Sequence, residues 1–136
     1  MKMLLPLATA ASLTVWAGAA TAVTYSGNWP LTVSHSQRSD GSYCLKLTDD
    51  GSLGWPHSGE AVLATPSDGD LYGTFQVIGH ALVATIEQPG DSGQNAGLVF
   101  TGHASNGAVG KGIYDQVYGG EEFDSGKVAF GAKGGC

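Results

Sequence analysis

The chain has 136 residues and carries six Lys and Arg against twelve Asp and Glu, a net charge of −6. This acidic balance disfavours nucleic-acid binding, because it repels phosphate backbones and no basic cluster is present to overcome the repulsion. Glycine is abundant, at 22 residues without a collagen-like period, which indicates many tight turns rather than helices.

The first 22 residues are predicted to form a cleavable signal peptide. Lys2 precedes an apolar run, and Ala20-Thr21-Ala22 fits a small-x-small cleavage pattern. A membrane anchor is disfavoured because polar residues, Pro6 and Gly18 dilute the run. Cleavage leaves residues 23–136 as a single β domain, and loss of Lys2 changes the net charge to about −7. We therefore expect an exported protein, periplasmic or secreted, with no membrane span after cleavage.

The mature chain consists of about eight short segments in which apolar and polar residues alternate, the pattern of half-buried strands. Trp29, Leu31 and Val33 show it most clearly, with polar residues or proline between and after them. The predicted strands are, in chain order, 28–36, 43–48, 60–65, 71–78, 81–88, 97–103, 109–118 and about 127–133. Short turns rich in Gly, Asp, Asn and Ser join them. The sequence predicts an all-β fold, a small antiparallel barrel of about eight strands, with a β-sandwich as the alternative.

The two cysteines, Cys44 and Cys136, are predicted to form one structural disulfide bond. Export places them in an oxidising compartment, and their wide spacing does not fit a zinc site or a redox pair. In a simple meander, however, Cys44 near the start of the second strand would lie at one end of the barrel, and Cys136 after the last strand would lie at the other. The tail that contains Gly134 and Gly135 must then fold back, or a connection must cross, or the strand count is wrong by one.

Three histidines, His57, His80 and His103, are spaced by 23 residues each. Two antiparallel strands with their turns take about this many residues, so all three are expected near the same rim of the barrel. Imidazoles that converge there could bind zinc or copper. The competing interpretation is that they are solvated loop residues, because no closely paired histidine spacing is present. No cofactor is predicted.

An aromatic and polar group is the candidate ligand-binding surface. Trp55 lies on a predicted loop, while Tyr114, Gln116 and Tyr118 share one face of the seventh predicted strand. Such a strip suits contact with a small molecule or a protein. The alternative is that these tyrosines simply complete the barrel wall.

Signals for catalysis are weak. Gly90-Asp91-Ser92-Gly93 resembles the nucleophile segment of chymotrypsin-like serine proteases, but Gln94 stands where glycine is expected and the chain is too short for their two barrels. The acidic run Glu121, Glu122 and Asp124 lacks calcium-loop spacing and is interpreted as solvated turn acids. We predict no catalytic residue.

In strand number and size alone, the domain resembles small calycin-type barrels such as the avidins and lipocalins. That resemblance implies a binding module with a rigid wall and an interior pocket or variable loops. We expect an exported, non-catalytic protein that binds an unidentified small molecule or protein. One alternative is a metal-binding protein or metal-dependent enzyme that uses the rim histidines, and another is a structural envelope component.

Overall fold

The computed structural model describes residues 23–50, 57–66, 69–88 and 96–136. Its eight strands are β1 (Gly27–Ser34), β2 (Gly41–Asp49), β3 (Ser58–Thr65), β4 (Gly69–Ile78), β5 (Ala81–Gln88), β6 (Ala96–Ser105), β7 (Ala108–Tyr118) and β8 (Glu121–Phe130). Each strand pairs antiparallel with the next, and β8 returns to β1 to close a barrel. The predicted barrel is confirmed, and the sandwich alternative is wrong. The predicted signal peptide, residues 1–22, lies outside the described residues, among which no helix is long and apolar enough to cross a membrane.

The first seven strands lie close to their predicted positions, but the prediction for β8 was wrong. The strand begins at Glu121 and ends at Phe130, several residues earlier than expected. The reason is the turn before it, where Gly119 and Gly120 adopt φ values of 63° and 83°. Two successive residues with positive φ form a tight hairpin turn whose twist matches that of the strands. The chain therefore reverses at once, and a polar segment that reads as a loop becomes a strand.

Alternation along the strands fills the barrel with apolar side chains. On β1, Trp29, Leu31 and Val33 are each at most 2% exposed, and on β5 the inward residues Leu82 and Ala84 are fully buried. A closed barrel of eight strands has an interior just wide enough for such side chains. We call the end where β1 begins the lower end, and the end with the β1–β2, β3–β4, β5–β6 and β7–β8 connections the upper end.

The N-terminal arm, residues 23–26, closes the lower end of the core. Tyr25 is buried, and its carbonyl accepts a hydrogen bond of 2.9 Å from the indole nitrogen of Trp29. This contact supplies the hydrogen-bond acceptor that the N–H of a buried tryptophan requires. The Tyr25 ring packs edge-on against His57, whose Nδ1 lies 2.7 Å from the Asp49 carboxylate. Aromatic packing and a buried polar pair therefore hold the arm in place.

The barrel closes along an incomplete seam that the C-terminal tail extends. β1 pairs with β8 only from Leu31 to Ser34. Toward the lower end, the tail provides the hydrogen bonds to β1 in place of β8. The Gly131 amide donates to the Pro30 carbonyl at 2.7 Å, and the Gly134 amide donates to the Asn28 carbonyl at the same distance. In an antiparallel strand, the N–H and C=O of one residue point toward the same neighbouring strand. The C=O of Pro30 points toward the tail, so its missing N–H falls where β8 has already ended.

The disulfide bond joins Cys44 to Cys136 across this seam, as predicted, with 5.9 Å between their Cα atoms. Cys44 is the register partner of Pro30 on the neighbouring strand, so the tail has to cross the outer face of β1 to reach it. A Cβ on Gly131 or Gly135 would lie 2.9 or 3.0 Å from the Pro30 ring, which is why glycine suits both positions. The tail folds back, and no strand connection crosses. The bond also indicates that the protein matures in an oxidising environment.

We expect the Cys44→Ser/Cys136→Ser double variant to be destabilised by about 3–5 kcal/mol, because the bond closes a loop with a sequence separation of 92 residues. Urea denaturation followed by circular dichroism measures this loss. A reductant should lower the stability of the wild type to that of the variant and leave the variant unchanged. Equal denaturation midpoints for the two oxidised proteins would contradict the proposed role of the bond.

Candidate functional site

A cavity of about 340 Å³ lies inside the upper end of the barrel. Its apolar wall is formed by Val33, Leu63, Leu71, Leu98 and Phe100. Its polar wall is formed by Ser39, Tyr43, Thr65, Gln88, Tyr114 and Gln116. The volume falls near the lower limit of small-molecule pockets, which is roughly 300 Å³.

The cavity has a polar wall because inward-facing positions change from apolar to polar toward the upper end. On β5, the buried series Leu82, Ala84 and Ile86 is followed at the same two-residue period by Gln88. On β7, Tyr114 is followed by Gln116, and both line the cavity. Since alternate residues of a strand face the same side, these polar side chains continue the core positions rather than the outer surface.

The carboxylate of Asp124 holds the β1–β2 loop over the cavity. Asp124 is only 5% exposed. It accepts hydrogen bonds from the backbone amides of Gln37 and Arg38 at 2.9 and 3.0 Å, from the Ser39 hydroxyl at 2.9 Å and from the Ser125 amide at 2.9 Å. The interpretation of Asp124 as a solvated turn acid was therefore wrong, because the early start of β8 places it at an inward position.

From Asp124 a chain of polar contacts crosses the cavity wall. The Ser39 hydroxyl lies 2.7 Å from the Tyr114 hydroxyl, which lies 3.1 Å from Oε1 of Gln116. The side-chain amides of Gln116 and Gln88 are 2.9 Å apart. We call Asp124, Ser39, Tyr114, Gln116 and Gln88 the polar chain. It links β8, the β1–β2 loop, β7 and β5, so it fixes the wall from several sides.

The buried charge in this region is the carboxylate of Asp124, and the Arg38 guanidinium, which also lines the cavity, is exposed. Burial of the carboxylate tends to raise the pKa of Asp124, but hydrogen bonds from Gln37, Ser39, Arg38 and Ser125 outweigh it and hold the pKa below its usual value. Burial raises the pKa of Tyr114, against the hydrogen bond with Ser39 and with a further contribution from the Asp124 charge.

Tyr43 lies beside the polar chain and is affected by the same carboxylate. Its pKa is raised by burial and by the carboxylates of Asp40 and Asp124. Its hydroxyl donates to the Ser39 carbonyl at 2.7 Å. At neutral pH, Asp124 is thus ionised, and both phenols, Tyr43 and Tyr114, keep their hydrogens.

The rim of the cavity carries an aromatic and cationic group. The Arg38 guanidinium lies 4.3 Å from the centre of the Phe123 ring, and both residues line the cavity. The Tyr118 ring packs 5.8 Å from Phe123. Stacking of a guanidinium on an aromatic ring leaves its edge free to donate hydrogen bonds.

The structure brings part of the predicted aromatic group together. Tyr114 and Gln116 both line the cavity, whereas Tyr118 contacts Phe123 at the rim. Trp55 lies outside the described residues, as does Ser92. Sequence reasoning missed Gln88, although it follows Ile86 in phase with the inward series of β5, and that phase could have identified it.

All three histidines of the predicted metal site lie at the lower end, as their spacing suggests. His57 points to Asp49 and Tyr25, while the exposed rings of His80 and His103 stack with their centres 5.6 Å apart. Across the described ranges, no group of three or more His, Cys, Asp or Glu side chains is arranged to hold a metal ion. Metal binding by these histidines stays a prediction.

Comparisons with known proteins do not assign a family. The chain matches no family model, no curated protein sequence and no solved structure. A barrel of this type serves many unrelated functions, so the fold by itself does not identify one. The function has to be argued from the cavity and the side chains that line it.

We expect Asp124→Asn to lower the free energy of unfolding by about 2 kcal/mol at neutral pH, because an amide replaces a charged acceptor of four hydrogen bonds. The pKa of Asp124 is lower in the folded state than in the unfolded chain. Its stabilising contribution is therefore complete above the unfolded value, about 3.9, and is lost as the pH falls through the folded value.

The difference between wild type and Asp124→Asn should accordingly shrink below about pH 4. Chemical denaturation at several pH values measures it. Glu121→Gln, which removes an exposed carboxylate from the same strand, is the matched control and should have a small effect. If the deficit of Asp124→Asn is the same at pH 3 and pH 7, the carboxylate does not act as described.

Proposed function

We propose that this chain is an exported, non-catalytic binding protein that holds a small molecule in the cavity at the upper end of its barrel. The observation that carries the proposal is the cavity itself, about 340 Å³ with one apolar and one polar wall. Ligand sites in proteins are typically concave and apolar, with a few well-placed polar groups that fix the orientation of the ligand.

The shape of the site favours a small molecule over a protein partner. The polar groups of the cavity face inward from the strands, where the flat surface of a folded protein does not reach them. Among the described residues with large exposed apolar side chains, Tyr72 and Ile78 lie six positions apart on β4, and Ile113 lies on β7, which is not a neighbour of β4. Single exposed apolar residues are common on soluble proteins and do not define an interface.

The chemistry of the polar chain favours binding over catalysis. Asp124 accepts four hydrogen bonds, and a carboxylate stabilised in this way is a poor proton acceptor. The other polar members are hydroxyls and amides. Such groups, fixed in place before the ligand arrives, lose little conformational freedom on binding.

Export fits the same proposal. The disulfide bond favours an oxidising compartment, and the predicted signal peptide, residues 1–22, would deliver the chain to the periplasm or the medium. An exported barrel with an interior pocket is suited to capture or carry a small molecule outside the cytoplasm.

We expect native mass spectrometry of the protein purified from its own host to show a retained small molecule, or NMR screening of a fragment library to show binding at cavity residues. Leu98→Trp should weaken this binding at least tenfold, because the larger ring extends from the apolar wall into the cavity and takes the place of the ligand. Thr85→Trp adds the same ring at an exposed position on β5 and should leave binding intact.

Both variants must first be shown to fold by circular dichroism and thermal unfolding. The proposal fails if the purified protein carries nothing and no fragment shifts the signals of cavity residues. It fails equally if Leu98→Trp and Thr85→Trp bind with the same affinity, since the ligand then lies elsewhere.

A further inference from the structure

The hydrogens of the polar chain can be counted. Its contacts from the Asp124 carboxylate to the Ser39 hydroxyl, onward to the Tyr114 hydroxyl and then to Gln116 are three in number. An ionised carboxylate has no hydrogen, and each hydroxyl has one. With Oε1 of Gln116 toward Tyr114, one of the three contacts would lack a hydrogen.

A half-turn of the glutamine amides removes this deficit. The oxygen and nitrogen of a glutamine side chain exchange places on rotation, so the hydrogen-bond network decides which faces a given neighbour. If Nε2 of Gln116 faces Tyr114 and Nε2 of Gln88 faces Gln116, every contact contains one hydrogen. In either orientation, the hydrogens of Ser39 and Tyr114 are both used within the chain.

The two glutamines, in contrast, retain donors. Each side-chain amide carries two N–H groups. The polar chain uses no more than one from Gln88 and one from Gln116 in either orientation. At least one N–H group of each glutamine is therefore left for water or a ligand, and both residues line the cavity.

The charges around the cavity are unevenly placed, with a carboxylate in the interior and a guanidinium at the rim. The Asp124 carboxylate stands at one end of the polar chain, and its charge, with that of Asp40, helps to raise the pKa of Tyr43. The Asp124 charge disfavours an anion in the interior. Among the described residues that line the cavity, Arg38 is the only cationic one, and it is exposed at the rim. A cation would be attracted by the carboxylate, but it would place its N–H donors against the unused N–H groups of the two glutamines, which need acceptors.

We propose, on the basis of the proposed function, that the ligand is an uncharged molecule with a carbonyl-type oxygen. The side-chain amides of Gln88 and Gln116 donate hydrogen bonds to this oxygen. A carbonyl oxygen has two lone pairs and can accept from both amides. Leu98 and Phe100 contact the apolar remainder of the molecule. Tyr114 is a positioning residue, since its hydroxyl orients Gln116 and donates within the chain.

Three probes on the same six-membered ring test the ligand class. They are cyclohexanone, which is neutral and only accepts, the cyclohexylammonium ion, which only donates, and the cyclohexanecarboxylate ion. Dissociation constants come from NMR titration of the full mature protein, followed at the side-chain amides of Gln88 and Gln116 and at the Leu98 methyls. We expect cyclohexanone to bind at least threefold more tightly than either ion and to shift both amides.

Variants identify the residues that recognise the oxygen. Gln88→Met and Gln116→Met keep side-chain length and remove the amide, so each should weaken cyclohexanone binding about fivefold and abolish the preference for it. Tyr114→Phe should weaken cyclohexanone binding by a smaller factor than either methionine variant, because Gln116 loses the contact that orients it, and should leave cyclohexanone the tightest of the three probes. Glu87→Met, an exposed neighbour of Gln88 on β5, is the matched control and should change nothing.

The outcomes separate this inference from the proposed function. If an ion binds best and shifts the cavity signals, the cavity is a ligand site but the ligand class is wrong. If Tyr114→Phe removes the ketone preference and the methionine variants keep it, the assignment of the amides is wrong. If no probe shifts any cavity signal, both proposals lose their support.

Discussion

The buried carboxylate of Asp124 is the interaction on which the upper end of the barrel depends. It gathers the amides of Gln37 and Arg38 and the hydroxyl of Ser39, so it fixes the β1–β2 loop relative to β8. An acceptor without hydrogens also gives direction to the contacts that follow, because Ser39 must donate to it. The conformation of one loop and the hydrogen-bonding capacity of the cavity wall therefore have the same cause.

The two ends of the barrel are filled and closed in different ways. At the lower end, Tyr25 and Trp29 cover the core, and the tail and its disulfide bond complete the short seam between β1 and β8. At the upper end, the interior is occupied by polar side chains and a cavity instead. The lower end is thus closed by packing, the tail and a covalent bond, whereas the upper end is held by hydrogen bonds around an incompletely filled interior.

Much of this fold could be predicted from alternation and turn residues. The series Trp29, Leu31 and Val33 predicted its buried face correctly, and two cysteines in a chain predicted to be exported sufficed to predict the bond. The site was harder, because a period of two shows which face a residue occupies but not what its neighbours on other strands are. The burial of Asp124 could not be predicted for a second reason. It lies beside two exposed acids in a segment without apolar alternation, and only the tight Gly119–Gly120 turn converts that segment into a strand.

The polar chain supports the proposed ligand site alongside the cavity. A barrel interior of this width can be filled with apolar side chains, and a buried polar network contributes little net stability compared with such packing. Tyr114, Gln116 and Gln88 instead keep polar atoms at inward positions, with every described buried side-chain donor and acceptor partnered. The amide hydrogens that the chain does not use belong to two residues that line the cavity, Gln88 and Gln116. Polar groups that are costly to bury, fixed in position and only partly used by the protein are characteristic of a site arranged for another molecule.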